Sequence, residues 1–357
     1  MHTITSAIGL FCLARQPSLH TTVALQESLS EYFDVGNARR LFHYPSIFLS
    51  YLMSTIQKNC AKHCFEARLA RFLLKMFARL SLGRCHQAGA VIGWLANLLP
   101  TKLRRYATTN VRVCFPQLTK KQQDALVRKS LIETGKTLTE AGPLLLWKTE
   151  QIEQHIKSVE GEDLIRVAMQ QDNGVIIAFP HIGAWELLSL FCSHRYPMTT
   201  LYRKPRLQEL DTIIKQGRER FGARLVRTDA RGVRALLEAL KRGEVVGILP
   251  DQEPPKGCGV FAPFFDVPAY SMTLVSQLAR RTGASVIIGY AQRLHQAAGY
   301  NIHFRKASDG IHDASTDNSV SVLNRDIAQC IREVPEQYQW IYKRFRKRPA
   351  GVRPVYT

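Results

Sequence analysis

The chain lacks any run of about twenty apolar residues free of charge, so no clean membrane-spanning helix can be read from it. It also lacks the opening of a secretory signal, because no Lys or Arg precedes the apolar segment from Ile4 to Ala14. Its cysteines do not form a metal pattern. Eight are scattered along 357 residues, and the one close pair, Cys60 and Cys64 around His63, has no second pair to complete a zinc set. No metal site and no cofactor are expected, and scattered free thiols suit a reducing compartment. There is no Gly-rich phosphate loop, zinc finger or helix-turn-helix pattern, which argues against nucleic acid as a partner. Internal repeats and low-complexity segments are absent as well.

Acid is scarce too. The chain has 29 Asp and Glu against 49 Lys and Arg, a net charge of +20. Such an excess suits an anionic partner, whether acidic headgroups, nucleic acid or an acidic carrier protein, although a solvated basic surface gives the same count. Residues 1–65 have mixed composition without a sustained period and read as an extension. Residues 66–150 read as helical. Within them, Leu73 to Leu99 is apolar at its centre, with Lys75, Arg79, Arg84 and His86 on its N-terminal side. Membrane contact in the interface, with basic side chains snorkelling, is expected there; a buried helix or an imperfect span are the alternatives. Thr119 and Gln122 fit a capping box opening a long helix that Pro143 should bend or end.

Residues 151–357 read as an α/β domain. Apolar runs at 175–179, 198–202, 223–226, 245–249, 285–290 and 300–304 read as strands, and helical periodicity falls between them. This alternation predicts a largely parallel or mixed sheet flanked by helices. Ligands in such folds bind at the carboxyl ends of strands. The first run ends at Pro180, followed by His181, Gly183 and Glu186. Positions five apart in one helix point about 140° away from each other. His181 and Glu186 therefore meet only if the His precedes the helix. Glu186 would then lie near the helix N-terminus, accept from one ring nitrogen and leave the other as a base for a substrate hydroxyl. A plain surface pair is the competing interpretation. Arg203 and Lys204 follow the next strand, suited to a phosphate or an oxyanion, though a solvated pair is more common. Asp251 and Gln252 follow a third, and Phe261 to Pro268 could wall an acyl chain or simply join the core.

Six blocks in order resemble the late acyltransferases of lipid A biosynthesis, of the lauroyl and myristoyl type. They are Asn110 to Pro116, His181 to Glu186, Tyr202 to Pro205, Gly247 to Gln252, Gly259 to Ala269 and Pro335 to Pro349, within a match from about Arg68 to the C-terminus. The wider glycerolipid acyltransferase superfamily usually has Asp where this chain has Glu186. The resemblance implies a glycerolipid-acyltransferase-like fold with an N-terminal membrane-associating region. It implies an acyl carrier protein thioester as donor and a hydroxyl of a Kdo-bearing lipid A precursor as acceptor, at the cytoplasmic face of the inner membrane. On this reading His181 and Glu186 are catalytic. Arg203 and Lys204 hold substrate, Asp251 belongs to the site without an assignable role, and Arg344 and Arg346, in a run of cations and aromatics, grip phosphates or the membrane unless the run is a solvated tail. A glycerol-phosphate or lysophospholipid acyltransferase is the alternative enzyme, and a basic peripheral membrane-binding protein the alternative without catalysis.

Overall fold

The computed structural model describes residues 65–205 and 208–356. The chain divides after Glu66, and the unit that begins at Ala67 is the one described. The extension expected over residues 1–65, apart from its last residue, lies outside the described residues, as does the Cys60–Cys64 pair.

After a helical stretch over residues 65–78, three helices follow: α1 (Leu82–Leu98), α2 (Lys102–Cys114) and α3 (Lys120–Leu146). Each begins on a hydroxyl cap, Ser81, Thr101 and Thr119, which accepts a hydrogen bond from the first helical turn. At α3 the Gln122 side chain reaches back to the Thr119 backbone and completes the expected capping box. Pro143 does not stop α3, which runs on to Leu146. It stands in the last turn, where its missing N–H costs a single bond, and Arg220 donates to the open carbonyls of Leu144 and Leu145. Helices α1 and α3 touch backbone to backbone. A Cβ on Gly135 would stand 2.0 Å from the Gly89 carbonyl oxygen, so no side chain fits between them.

The rest is a seven-stranded mixed sheet with helices on both faces. Its strands are β1 (Ile156–Glu160), β2 (Val175–Ala178), β3 (Met198–Tyr202), β4 (Arg224–Arg227), β5 (Val245–Ile248), β8 (Ser285–Arg293) and β9 (Tyr300–Lys306), in the order β1-β9-β8-β2-β5-β3-β4. All neighbours are parallel except β8 and β9. Strands β2 and β5 are buried along their whole length, as apolar central strands of a parallel sheet must be. Alternate residues feed two cores. Ile176 and Ala178 join Leu236, Leu278 and Leu323 on one face, whereas Val175 and Ile177 join Leu187, Phe191 and Ile165 on the other.

A separate hairpin, β6 (Gly259–Phe264) with β7 (Val267–Met272), occupies the stretch expected to wall an acyl chain. Phe264 and Phe265 are buried against Trp340, Phe345 and Phe115, so they belong to the core; Phe261 stays partly exposed.

Candidate active site

Parallel pairing of β2 with β5 builds the centre of the site. The strands end in register, Ala178 opposite Ile248. Each is followed by two residues ending in proline, Phe179-Pro180 and Leu249-Pro250, and then by His181 and Asp251. Equal offsets from adjacent strand ends bring the two side chains together, since neighbouring strands lie about 4.8 Å apart. His181 Nδ1 is 2.8 Å from Asp251 Oδ1, and the His181 backbone N–H donates to Oδ2 at 3.0 Å. Asp251 is only 2% exposed. Burial alone would raise its carboxyl pKa, but the facing His181 and its hydrogen bonds more than offset this and hold it below the ordinary carboxylate range. An ionised Asp251 only accepts, so Nδ1 carries the ring proton and Nε2 presents its lone pair. Gln252 Nε2 lies 3.2 Å from that lone pair and also donates to Gln339 Oε1.

Glu186 does not orient His181. It sits in the first turn of α4 (Trp185–Arg195), as its position predicts, but its carboxylate takes both Nε and Nη2 of Arg218. Arg218 comes from α5 (Asp211–Glu219), a helix whose approach the spacing of His181 and Glu186 does not reveal. The bidentate guanidinium satisfies both carboxylate oxygens, which leaves the ring to Asp251. Glu186 nevertheless fixes the turn whose first residue, Trp185, packs on the imidazole with ring centroids 5.1 Å apart.

The turn between β2 and α4 is held from three sides. Gly183 has φ +59°, and a Cβ there would meet the Ala291 carbonyl oxygen at 2.0 Å, so this position demands glycine. The Gly183 N–H donates to the Gln337 carbonyl and the Gln339 N–H to the His181 carbonyl, which ties the turn to the C-terminal segment. Behind it, Arg293 at the end of β8 donates through Nη2 to the Gly183 carbonyl at 2.9 Å. The same guanidinium binds Glu140 of α3, which also accepts from Tyr300 and is bonded to His86. Burial opposes the Glu140 charge, yet Arg293 and His86 bring its pKa down to about 2. Neither Arg293 nor Glu140 stands in a recognisable motif. The one sequence signal for Asp251 as partner of His181 is the repeated apolar-Pro-His and apolar-Pro-Asp ending of two buried runs.

The remaining expected residues divide. Arg203 is exposed just beyond β3, on the same edge of the sheet as His181. Lys204 is 77% exposed, with Asp211 at 3.9 Å. Arg344 is not at a surface. It is buried, donates to the Tyr270 carbonyl and to Ser271 Oγ, and lies over the Phe264 ring, so it has no edge to offer a phosphate. Arg346 is exposed but engages Glu253. Among the described residues no cluster of His, Cys, Asp or Glu is arranged to hold a metal ion.

A buried Asp–His pair at the carboxyl ends of central parallel strands is general-base geometry, and comparison with known proteins says of which kind. A family model described as bacterial lipid A biosynthesis acyltransferase matches residues 65–347. The chain belongs to this family. Among curated relatives, this acyltransferase is 28% identical over 270 residues to the lipid A biosynthesis palmitoleoyltransferase of Escherichia coli (strain K12), covering 75% of this chain and 87% of that protein. It is 27% identical to the lipid A biosynthesis lauroyltransferase of the same strain, with the same coverage. It is 23% identical over 264 residues to the myristoyltransferase, covering 73% of this chain and 81% of the relative. The acyltransferase match begins where the described helices begin, and it contains every residue of the site described above.

Proposed function

We propose that this acyltransferase moves a fatty acyl chain from an acyl carrier protein thioester to a hydroxyl of a Kdo-bearing lipid A precursor, at the cytoplasmic face of the inner membrane. The observation that carries the mechanism is the 2.8 Å contact between His181 Nδ1 and the buried Asp251. His181 Nε2 takes the proton of the acceptor hydroxyl as its oxygen attacks the thioester carbonyl carbon. Asp251 holds the ring in that tautomer and stabilises the imidazolium that forms. The imidazolium then gives its proton to the departing sulfur. Arg203, on the same sheet edge and exposed, suits the developing oxyanion or an acceptor phosphate, with Lys204 beside it.

The surface supports the proposed setting. None of the described helices is long and apolar enough to cross a membrane. Yet α1 is two-faced. Cys85, Gly89 and Gly93 are buried, whereas Val91, Trp94, Leu95 and Leu98 are exposed. Leu99 and Leu103 continue that apolar surface, and Lys102, Arg104, Arg105 and Arg112 line a groove along α2 beside it. Apolar side chains bordered by cations suit an anionic membrane interface. An acidic carrier protein is likewise suited to a chain of net charge +20.

The test is His181→Ala in purified, folded protein supplied with labelled acyl carrier protein thioester and the lipid A precursor. Turnover should fall by roughly 10²–10⁴-fold. Undiminished transfer would remove His181 as the base, and transfer only to glycerol-phosphate or lysophospholipid acceptors would remove lipid A as the substrate.

A further inference from the structure

We propose that Gln252 is a water guard on the His181 base, a specificity residue that suppresses hydrolysis of the thioester until a lipid acceptor arrives. The inference rests on the acyl-transfer mechanism above and goes beyond it. Its basis is the bonding of one amide. Gln252 Nε2 lies 3.2 Å from His181 Nε2 and 3.1 Å from Gln339 Oε1. Gln339 in turn donates its backbone N–H to the His181 carbonyl at 3.1 Å. Base, amide and anchor therefore form a closed loop of hydrogen bonds. Because Asp251 fixes the ring proton on Nδ1, the lone pair on Nε2 is the one an attacking O–H must use, and Gln252 already occupies it.

A thioester is activated toward water as well as toward alcohols. In hydrolysis, water would give a proton to His181 Nε2 while its oxygen bonds to the carbonyl carbon. The C–S bond would break with its electron pair on sulfur, and the imidazolium proton would pass to that sulfur. A free fatty acid and the carrier thiol result. Nothing in a bare His–Asp pair prevents this. The amide does, by adding a displacement step before any attack. A lipid acceptor supports that step with the binding energy of its remote parts, whereas water has none to spend. Both donors of the amide are engaged within the site, so its place over the base is built into the fold. One net hydrogen bond corresponds to roughly 5- to 10-fold in rate.

The experiment uses the full chain in detergent micelles with radiolabelled lauroyl-acyl carrier protein. Release of free fatty acid is measured without acceptor, and transfer is measured with the Kdo-bearing lipid A precursor. The readout is the ratio of hydrolysis to transfer, which a general loss of folded protein does not move. Gln252→Met keeps the length and volume of the side chain and removes its donors; Gln252→Ala removes both. In each the ratio should rise roughly 5- to 10-fold. Gln339→Leu leaves Gln252 in place and unties its amide, so it should raise the ratio in the same direction, and it decides the matter should the Gln252 variants not accumulate. A ratio unchanged in Gln252→Met, or raised in Gln252→Ala alone, overturns the hydrogen-bond guard. A parallel His181→Ala sample separates the two levels. If it loses transfer while the ratio in the other variants stays flat, the guard alone is wrong; if it keeps transfer, the base assignment is wrong.

Discussion

Two carboxylates stand within reach of the His181 turn, and their partners give them different work. Asp251 spends both oxygens on His181, one on the ring and one on the backbone. Glu186 spends both on Arg218. Asp251→Asn should therefore cut turnover by about 10²–10⁴-fold with little change in melting temperature, because an amide neither enforces the tautomer nor stabilises the imidazolium. Glu186→Gln should act mainly on stability, by about 1–3 kcal/mol, since it loosens a charge-assisted pair that is partly buried. Replacing Arg218 by Met in the same protein should recover part of that loss. Turnover and urea midpoints of the three proteins check the assignment, and a stable but inactive Glu186→Gln beside an active Asp251→Asn would reverse it. From the sequence, His181 and the left-handed Gly183 are legible because the strand end and the glycine are local. The Asp251 partnership is not, because it joins positions 70 residues apart and depends on β5 lying next to β2. Alternation of strands and helices predicts that a sheet forms, but it leaves the order of strands open.

At the scale of elements, one tight joint is between α1 and α3. Gly135→Ala places a methyl group into the Gly89 carbonyl. It should cost about 1–3 kcal/mol as the helices are forced apart, read as a lowered melting temperature. A second joint is the charged knot of Arg293 and Glu140, which locks α3, β8 and the His181 turn together. Glu140 has its pKa lowered to about 2 from an ordinary 4.5. The stability it contributes is thus fully present above about pH 4.5 and lost as pH falls toward 2. Urea unfolding of wild type and Glu140→Gln at stepped pH should show the gap between them narrowing through that window; a constant gap would mean the knot is not charged. The long helices and the central strands are legible from capping and apolar runs. The β6–β7 hairpin is not. Its turn residues Phe265 and Asp266 both have positive φ, at 51° and 62°, where Asn-Gly would have announced the turn. Pro263 and Pro268 also read against a strand, and they are tolerated because a two-stranded ribbon has only edges. Strand β1 escapes notice for a simpler reason: Ile156–Glu160 is a half-exposed edge with no apolar run.

At the scale of the whole molecule, the described residues combine an apolar face on α1, a basic groove on α2 and a candidate active site at the carboxyl end of the sheet. Full-length protein should sediment with vesicles containing anionic lipid, and binding should weaken as salt is raised. Trp94→Glu with Leu98→Glu should reduce it further without moving the melting temperature, because both side chains are already exposed. Equal sedimentation of the double variant would place membrane contact elsewhere. Several basic residues towards the C-terminus are instead engaged within the chain, Arg346 by Glu253, Lys347 by the Pro254 carbonyl and Arg348 by the Pro268 carbonyl. Asn110 clasps the carbonyls of Trp340 and Tyr342, Arg344 is spent on Tyr270 and Ser271, and Tyr338 bridges to Ile182 beside the base. This arrangement bears on synthesis. The residues that support His181 from behind, Gln337 to Trp340, are added about 156 residues after His181 itself. At 5–20 residues per second a growing chain spends roughly ten to thirty seconds with its imidazole made but unsupported. The nascent chain therefore carries His181 in an idle state, and a message cut short before the codon of Gln337 should yield a chain with every strand of the sheet and no supported His181 turn.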